Sequence, residues 1–338
     1  MHIVVLDAQT VTNGDVSLEP IKEFGELTVY PLTAYEEIAD RIADADVVFC
    51  NKSLLDSYTL RKAEKLRYIG LFATGYNNID LAYTREKGIT VCNAGSYSTK
   101  AVAQHTFALI LEHFNRVGAY NDFVQAGNWV NSTTFSPFVF PTDELCDKTI
   151  GLIGYGSIGK AVARIAQAFG MRVLVHTRTP QEDGTVTFLS LEEMLPQVDV
   201  LSIHCPLNDR TRGMINADAL SRCKKGAFLV NTSRGPVVDE KALRAALKSG
   251  HIGGAGLDVL QVEPMESSCP LLNMPNCMIT PHVAWAPVTT RLRLMNIVTD
   301  NLRCFLNGAP KNGVNGYKDD KIRCKNGAKA CNCEVNLL

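Results

Sequence analysis

The segment Thr149-Ile150-Gly151-Leu152-Ile153-Gly154-Tyr155-Gly156-Ser157-Ile158-Gly159 restricts the fold of this chain more tightly than any other stretch. Thr149 to Ile153 is an apolar, β-branched run and reads as a buried strand. Glycines at 154, 156 and 159 follow in the pattern G-x-G-x-x-G. From Ile158 to Phe169, apolar residues recur at 158, 161, 162, 165, 166 and 169, which is helical spacing. Strand, glycine turn and helix are the context that gives this pattern meaning. Gly154 then serves a tight turn, Gly156 a close approach of phosphate to backbone, and Gly159 close helix–strand packing. The unpaired N–H groups of the helix start favour an anion. The segment therefore predicts a dinucleotide-binding turn, with contacts from Gly154, Gly156, Ser157, Ile158 and Gly159.

With 338 residues, the chain is expected to form two domains around this element. A net charge of −1 gives no reason to expect nucleic acid or a membrane surface as partner. The start, Met1 to Asp7, lacks the pattern of a signal peptide, and no apolar run approaches membrane-spanning length. Eleven cysteines, mostly scattered singly, suggest reduced thiols and a cytoplasmic protein.

Before residue 99, strand signals (3–6, 27–30, 46–50, 68–73, 89–92) alternate with helix signals (35–43, 81–87), the latter capped by Asp80 and stopped by Gly88. This alternation predicts a doubly wound parallel sheet. Ala73-Thr74-Gly75 lies at the carboxyl end of one strand, where ligands of such sheets bind, and reads as an anion-binding loop. Thr99–Asn115 is a long helix. Residues 127–143 are irregular and aromatic-rich, either local packing or a subunit arm. Further strands are expected at 172–176, 199–204, 227–232, 255–259 and 277–280. Helices are expected at 191–195, with a Ser190/Glu193 capping box, and after Asp239 as far as Gly250. Pro287–Phe305 is a second long helix. Two long helices flanking one nucleotide-binding unit suggest that this unit is inserted into the first domain.

Arg234, Asp258, Glu263 and His282 follow strands of the second sheet, on the side where ligand is expected. Reduction of a 2-oxo acid needs such groups. A planar, permanently charged guanidinium suits the carboxylate. An imidazole suits proton donation to the carbonyl oxygen. A carboxylate beside it favours the charged imidazole and orients it.

These residues and the stretches Ala73 to Asp80, Gly154 to Gly159, His204 to Leu207, Asn231 to Gly235, Asp258 to Pro264 and Thr280 to His282 resemble the D-isomer-specific 2-hydroxyacid dehydrogenases over residues 1 to about 315. The resemblance is strongest to the glycerate dehydrogenase, or hydroxypyruvate reductase, branch. It implies an NAD(P)-binding Rossmann domain of residues 99–285, inserted into a flavodoxin-like substrate domain of residues 1–98 plus 286–315. It implies that Arg234 binds the 2-oxo acid, that His282 donates the proton and that Glu263 supports His282. Backbone amides of Ala73, Thr74 and Gly75 would hold the substrate carboxylate across the cleft from the cofactor. Cys205, Pro206, Thr232 and Asp258 are expected to contact that cofactor, and a homodimer is expected. Glyoxylate reductase, a short phosphoglycerate dehydrogenase and a cofactor-sensing co-repressor are the alternatives; no metal is implied.

The sequence departs from the family pattern twice. The acid usual after the second Rossmann strand is replaced by Thr177, followed by Arg178 and Thr179. A 2′-phosphate would meet no repulsion there, so NADP(H) is expected to serve at least as well as NAD(H). The tail 316–338 carries Cys324, Cys331 and Cys333, lacks periodicity and is expected to be disordered.

Overall fold

The structure, a computed structural model, describes residues 1–181 and 183–316. It comprises two compact units, Met1–Tyr97 with the segment from Val288 onward, and Ser98–Pro287. Each is built on one parallel sheet.

The first unit holds β1 (His2–Val5), β2 (Glu26–Val29), β3 (Val47–Cys50), β4 (Tyr68–Leu71) and β5 (Thr90–Cys92). Their order is β2-β1-β3-β4-β5, all parallel, the flavodoxin-like arrangement. Alternation along the strands divides the sheet into two faces. Val4, Val48, Ile69 and Val91 pack with Ile38, Ile42 and Leu55 on one face. On the other, Phe49 stacks on Phe72 at 5.4 Å and Tyr68 meets Phe305 of helix Val288–Leu306 at 4.9 Å. Asp80 caps helix Leu81–Glu86 by accepting from the Tyr83 N–H. The returning chain is tied down by buried Asn315, whose amide donates to the Ile89 carbonyl at 2.7 Å.

The second unit holds β6 (Thr149–Ile153), β7 (Arg172–His176), β8 (Thr187–Phe188), β9 (Val200–Ile203), β10 (Ala227–Asn231), β11 (Ile252–Leu257) and β12 (Cys277–Ile279). Their order is β12-β11-β10-β9-β6-β7-β8, again all parallel. Period two supplies a core on each face. Ile150, Leu152, Val173, Val175, Phe228 and Val230 face helices Thr99–Asn115 and Ser157–Ala168. Ile153, Leu174, Leu201, Leu229 and Leu257 face the side that carries helices Ala217–Arg222 and Glu240–Ser249. Each fully buried Ile or Leu contributes roughly 2 kcal/mol.

Besides short 3-10 turns, three elements of this unit lie outside the sequence-based expectation. Helix Val117–Gln125 buries none of its residues; its apolar side chains Tyr120 and Phe123 pack on Phe140 of the following loop. Strand β8 has two residues and helix Ala217–Arg222 has six, too short for a periodic signal. In the 127–143 loop, Phe140 packs edge-on against Tyr120 at 5.0 Å, while Phe135 and Phe138 are exposed. Of the tail 316–338, residues from 317 on lie outside the described residues.

Two half-buried imidazoles make this unit sensitive to acid. His113 stacks on Phe228 at 4.1 Å, and burial lowers its pKa to about 4. Burial alone lowers His204 to about 4 as well. The unfolded chain, titrating near 6.5, takes up these protons first. The stability contribution is therefore intact above about pH 6.5 and is lost as pH falls towards 4. The melting temperature is expected to drop across that window at constant ionic strength. His113→Phe should drop less, and equal slopes for the two proteins would contradict the assignment.

Candidate active site

The chain runs β6, β7, β8 in one direction across the second sheet, then returns to place β9 on the other side of β6. The carboxyl ends of β6 and β9 therefore flank a topological switch point, where ligands of open α/β sheets bind. The glycine turn follows β6, and His204-Cys205-Pro206 follows β9. Gly154 has φ +98°, and a Cβ there would lie 2.7 Å from the His204 carbonyl oxygen. A Cβ on Gly159 would lie 2.4 Å from the Gly154 carbonyl oxygen. Gly156 has nothing within 4 Å of its Cβ position and caps helix Ser157–Ala168. Two glycines thus close the turn against its surroundings, and the third leaves the helix start open, which fits a pyrophosphate.

A cleft of about 730 Å³ extends from this turn. Gly154, Tyr155 and Gly156 line it with Thr177, Arg178 and Thr179 after β7 and with Cys205, Pro206, Asp209 and Arg210 after β9. The Tyr155 hydroxyl donates to Asp183 Oδ2 at 2.5 Å, and burial with this contact pushes the phenol up to about 12. Hydrogen bonds from Thr185 and Tyr155 hold the Asp183 carboxyl below the usual range. The carboxylate of Asp183, beyond β7, is therefore already engaged.

Arg234 follows β10. Buried Asn231 shapes its turn, donating to the Arg234 carbonyl at 2.9 Å and accepting from the Ser233 N–H at 3.0 Å. The guanidinium donates to the Ser233 carbonyl at 2.7 Å. The next residue, Gly235, packs against the loop after β11, where a Cβ would fall 1.8 Å from the Leu260 carbonyl oxygen. The Leu260 N–H in turn donates to Glu263 Oε1 at 2.9 Å. Glu263 Oε2 lies 2.6 Å from His282 Nδ1. A continuous set of contacts thus connects the loops bearing Arg234, Glu263 and His282, three residues separated widely in sequence. The carboxylate can only accept, so Nδ1 carries the hydrogen and any second proton resides on Nε2.

His282 has φ +55°, a left-handed conformation that a non-glycine residue adopts at about 1 kcal/mol. Asp258 at the end of β11 explains how it is held. Its carboxylate, 1% exposed, accepts from Val283 N–H and Ala284 N–H at 2.9 Å each and from the Thr280 hydroxyl at 2.6 Å. The Asp258 carbonyl also accepts from the His282 N–H at 2.9 Å. Asp258, expected from the sequence among cofactor contacts, is thus directed into the His282 loop. Thr232 is likewise buried, its hydroxyl 3.1 Å from that of Thr106. Sequence reading did not find these inward bonds. Asp258 at a strand end and Thr280 two residues before His282 were the available signals.

Ala73, Thr74 and Gly75 belong to the other unit, after β4. Their loop is fixed by Thr74 donating to the Gly95 carbonyl and by Asn93 donating to the Thr74 carbonyl at 2.7 Å. After the neighbouring β3, the N–H groups of Asn51, Lys52 and Ser53 donate to the buried carboxylate of Asp7, which follows β1.

The family model of the D-isomer specific 2-hydroxyacid dehydrogenase NAD binding domain matches residues 107–284. A hydroxypyruvate reductase of Blautia hydrogenotrophica is 42% identical over 321 residues, covering 93% of this chain and 100% of the relative. A glycerate dehydrogenase of Methylorubrum extorquens is 39% identical over 281 residues, covering 82% of this chain and 88% of the relative. Among solved structures, the NADPH-dependent glyoxylate/hydroxypyruvate reductase of Sinorhizobium meliloti in complex with NADP and malonate superposes with a TM-score of 0.82 at 32% identity, covering 93% of this chain and 96% of that one. Through the match of its nucleotide-binding unit and its near full-length relatives, the chain belongs to the D-isomer specific 2-hydroxyacid dehydrogenases, NAD(P)-dependent oxidoreductases acting on CH–OH groups.

Proposed function

We propose that this enzyme reduces hydroxypyruvate to D-glycerate. The observation that carries the reading is the 2.6 Å contact between His282 Nδ1 and Glu263 Oε2 on the sheet edge that bears the glycine turn. The names of its relatives, hydroxypyruvate reductase and glycerate dehydrogenase, support this substrate. Glyoxylate is the second reading, supported by the glyoxylate/hydroxypyruvate reductase of known structure.

When bound, a nicotinamide cofactor would supply the hydride for C2. Arg234 pairs with the substrate carboxylate and polarises the 2-oxo group through its fixed, planar charge. As negative charge develops on the carbonyl oxygen, protonated His282 delivers the hydrogen of Nε2 to it. Glu263 keeps the ring oriented through its hydrogen bond with Nδ1. Hydride plus proton converts C=O to CH–OH, and neutral His282 regains a proton from solvent. In the first unit, the backbone N–H groups of Ala73, Thr74 and Gly75 are proposed to bind an anionic group.

NADP(H) is proposed to serve at least as well as NAD(H). Thr177, Arg178 and Thr179 line the cleft where a carboxylate would repel a 2′-phosphate, and Asp183 is engaged by Tyr155 and Thr185. A homodimer is proposed from the exposed rings of Trp129, Phe135 and Phe138. The unpaired described cysteines fit a reducing cytoplasm.

The His282→Ala variant is expected to lose roughly 10³-fold in kcat, as for removal of a general acid, with cofactor affinity changed less than about twofold. Glu263→Gln should lose about tenfold in kcat, the equivalent of ~1.4 kcal/mol. Near-normal kcat in His282→Ala, read by NAD(P)H absorbance with hydroxypyruvate, glyoxylate and pyruvate, would remove His282 from its role. Arg178→Ala is expected to lower kcat/KM for NADPH by about tenfold and to leave NADH nearly unchanged. A wild-type preference for NADH would contradict the cofactor assignment.

A further inference from the structure

We propose that His105 is a positioning residue for His282, acting through Thr280 and Asp258; this rests on the role proposed above for His282. His105 lies on helix Thr99–Asn115, far from the strand-end motifs in sequence. Its Nε2 is 2.9 Å from the Thr280 hydroxyl and 3.6 Å from Asp258 Oδ1.

The direction of these bonds follows from counting hydrogens. A threonine hydroxyl has one hydrogen to give. Thr280 gives it to Asp258 Oδ1 at 2.6 Å, where an ionised oxygen is the stronger acceptor. Towards His105 the same hydroxyl can only accept, so His105 Nε2 must carry a hydrogen. The chain of donation is His105 to Thr280 to Asp258. From the other side, Asp258 accepts the N–H groups of Val283 and Ala284. His282 lies between the Thr280 and Val283 anchors, in its left-handed conformation. Fixing the Thr280 hydroxyl rotor therefore fixes one end of the short span that aims the imidazole.

The same helix makes a parallel contact one residue later. Thr106 Oγ1 lies 3.1 Å from Thr232 Oγ1, and Thr232 is two residues before Arg234 as Thr280 is two before His282. Consecutive polar side chains of one helix thus brace the strand ends that lead into both proposed catalytic residues. A histidine that served only to cover the helix surface would need no hydroxyl partner at a strand end.

The test compares His105→Leu, which removes the donor, with His105→Gln, whose amide N–H reaches a similar place. His105→Leu is expected to lower kcat with hydroxypyruvate by about tenfold while the NADPH dissociation constant, read by fluorescence, changes less than about twofold. His105→Gln should restore kcat to within about threefold of wild type, and His105→Leu should have no further effect in a His282→Ala background. A second readout needs no turnover: the ring resonances of His282 in ¹⁵N-histidine NMR should move in His105→Leu and return in His105→Gln. Unchanged kcat in His105→Leu, equal losses in the Leu and Gln variants, or unmoved His282 resonances would each overturn the proposal. If wild type turned over none of the 2-oxo acids but the His282 resonances moved as described, the functional reading would fail and the positioning role would stand.

Discussion

One buried carboxylate decides how the acid–base side of this site is presented. Asp258 is almost completely withdrawn from solvent and accepts two backbone N–H groups and one hydroxyl. Such charge-assisted bonds offset the desolvation of a buried charge. They also hold the chain reversal in which His282 adopts a conformation unfavourable for an L-residue. Without this acceptor the N–H groups of Val283 and Ala284 would have to find water or other partners, and the left-handed turn would lose its support.

The parallel sheet explains why residues so distant in sequence converge. Every strand of the second unit ends on one edge, so each β-to-α loop can contribute one group there. The glycine turn comes from β6, the Thr177–Thr179 segment from β7, Cys205 from β9, Arg234 from β10, Glu263 from beyond β11 and His282 from beyond β12. Chemistry is divided among loops that differ in length, while the strands beneath them are apolar and packed on both faces.

Much of this arrangement was legible in the residues themselves. Runs such as Thr149–Ile153 and Arg172–His176 carry β-branched side chains in pairs facing two cores, so their strand character is strongly determined. Helix Thr99–Asn115 and the capped helices after Asp80, Ser190 and Asp239 lie where caps and periodicity put them. The catalytic candidates could be named because their residue types suit the chemistry at strand ends. The tertiary hydrogen bonds could not be read in the same way. That Asp258 turns inward, that Tyr155 reaches Asp183, and that His105 meets Thr280 depend on side-chain directions set by packing, for which a linear sequence has no periodic signal. Helix Val117–Gln125 has Val117, Tyr120 and Val124 at helical spacing, yet it is short and buries none of its residues, so that spacing marks no core.

Gly235 carries a consequence of its own. The loops that bear the guanidinium and the carboxylate meet there backbone to backbone, with no room for even a methyl group before the Leu260 carbonyl. Steric exclusion therefore sets the spacing between the loop of Arg234 and the loop of Glu263. One added carbon at this position would act as a wedge between them. The distance between these two loops thus depends on a single missing atom, where the backbone of one lies directly on that of the other.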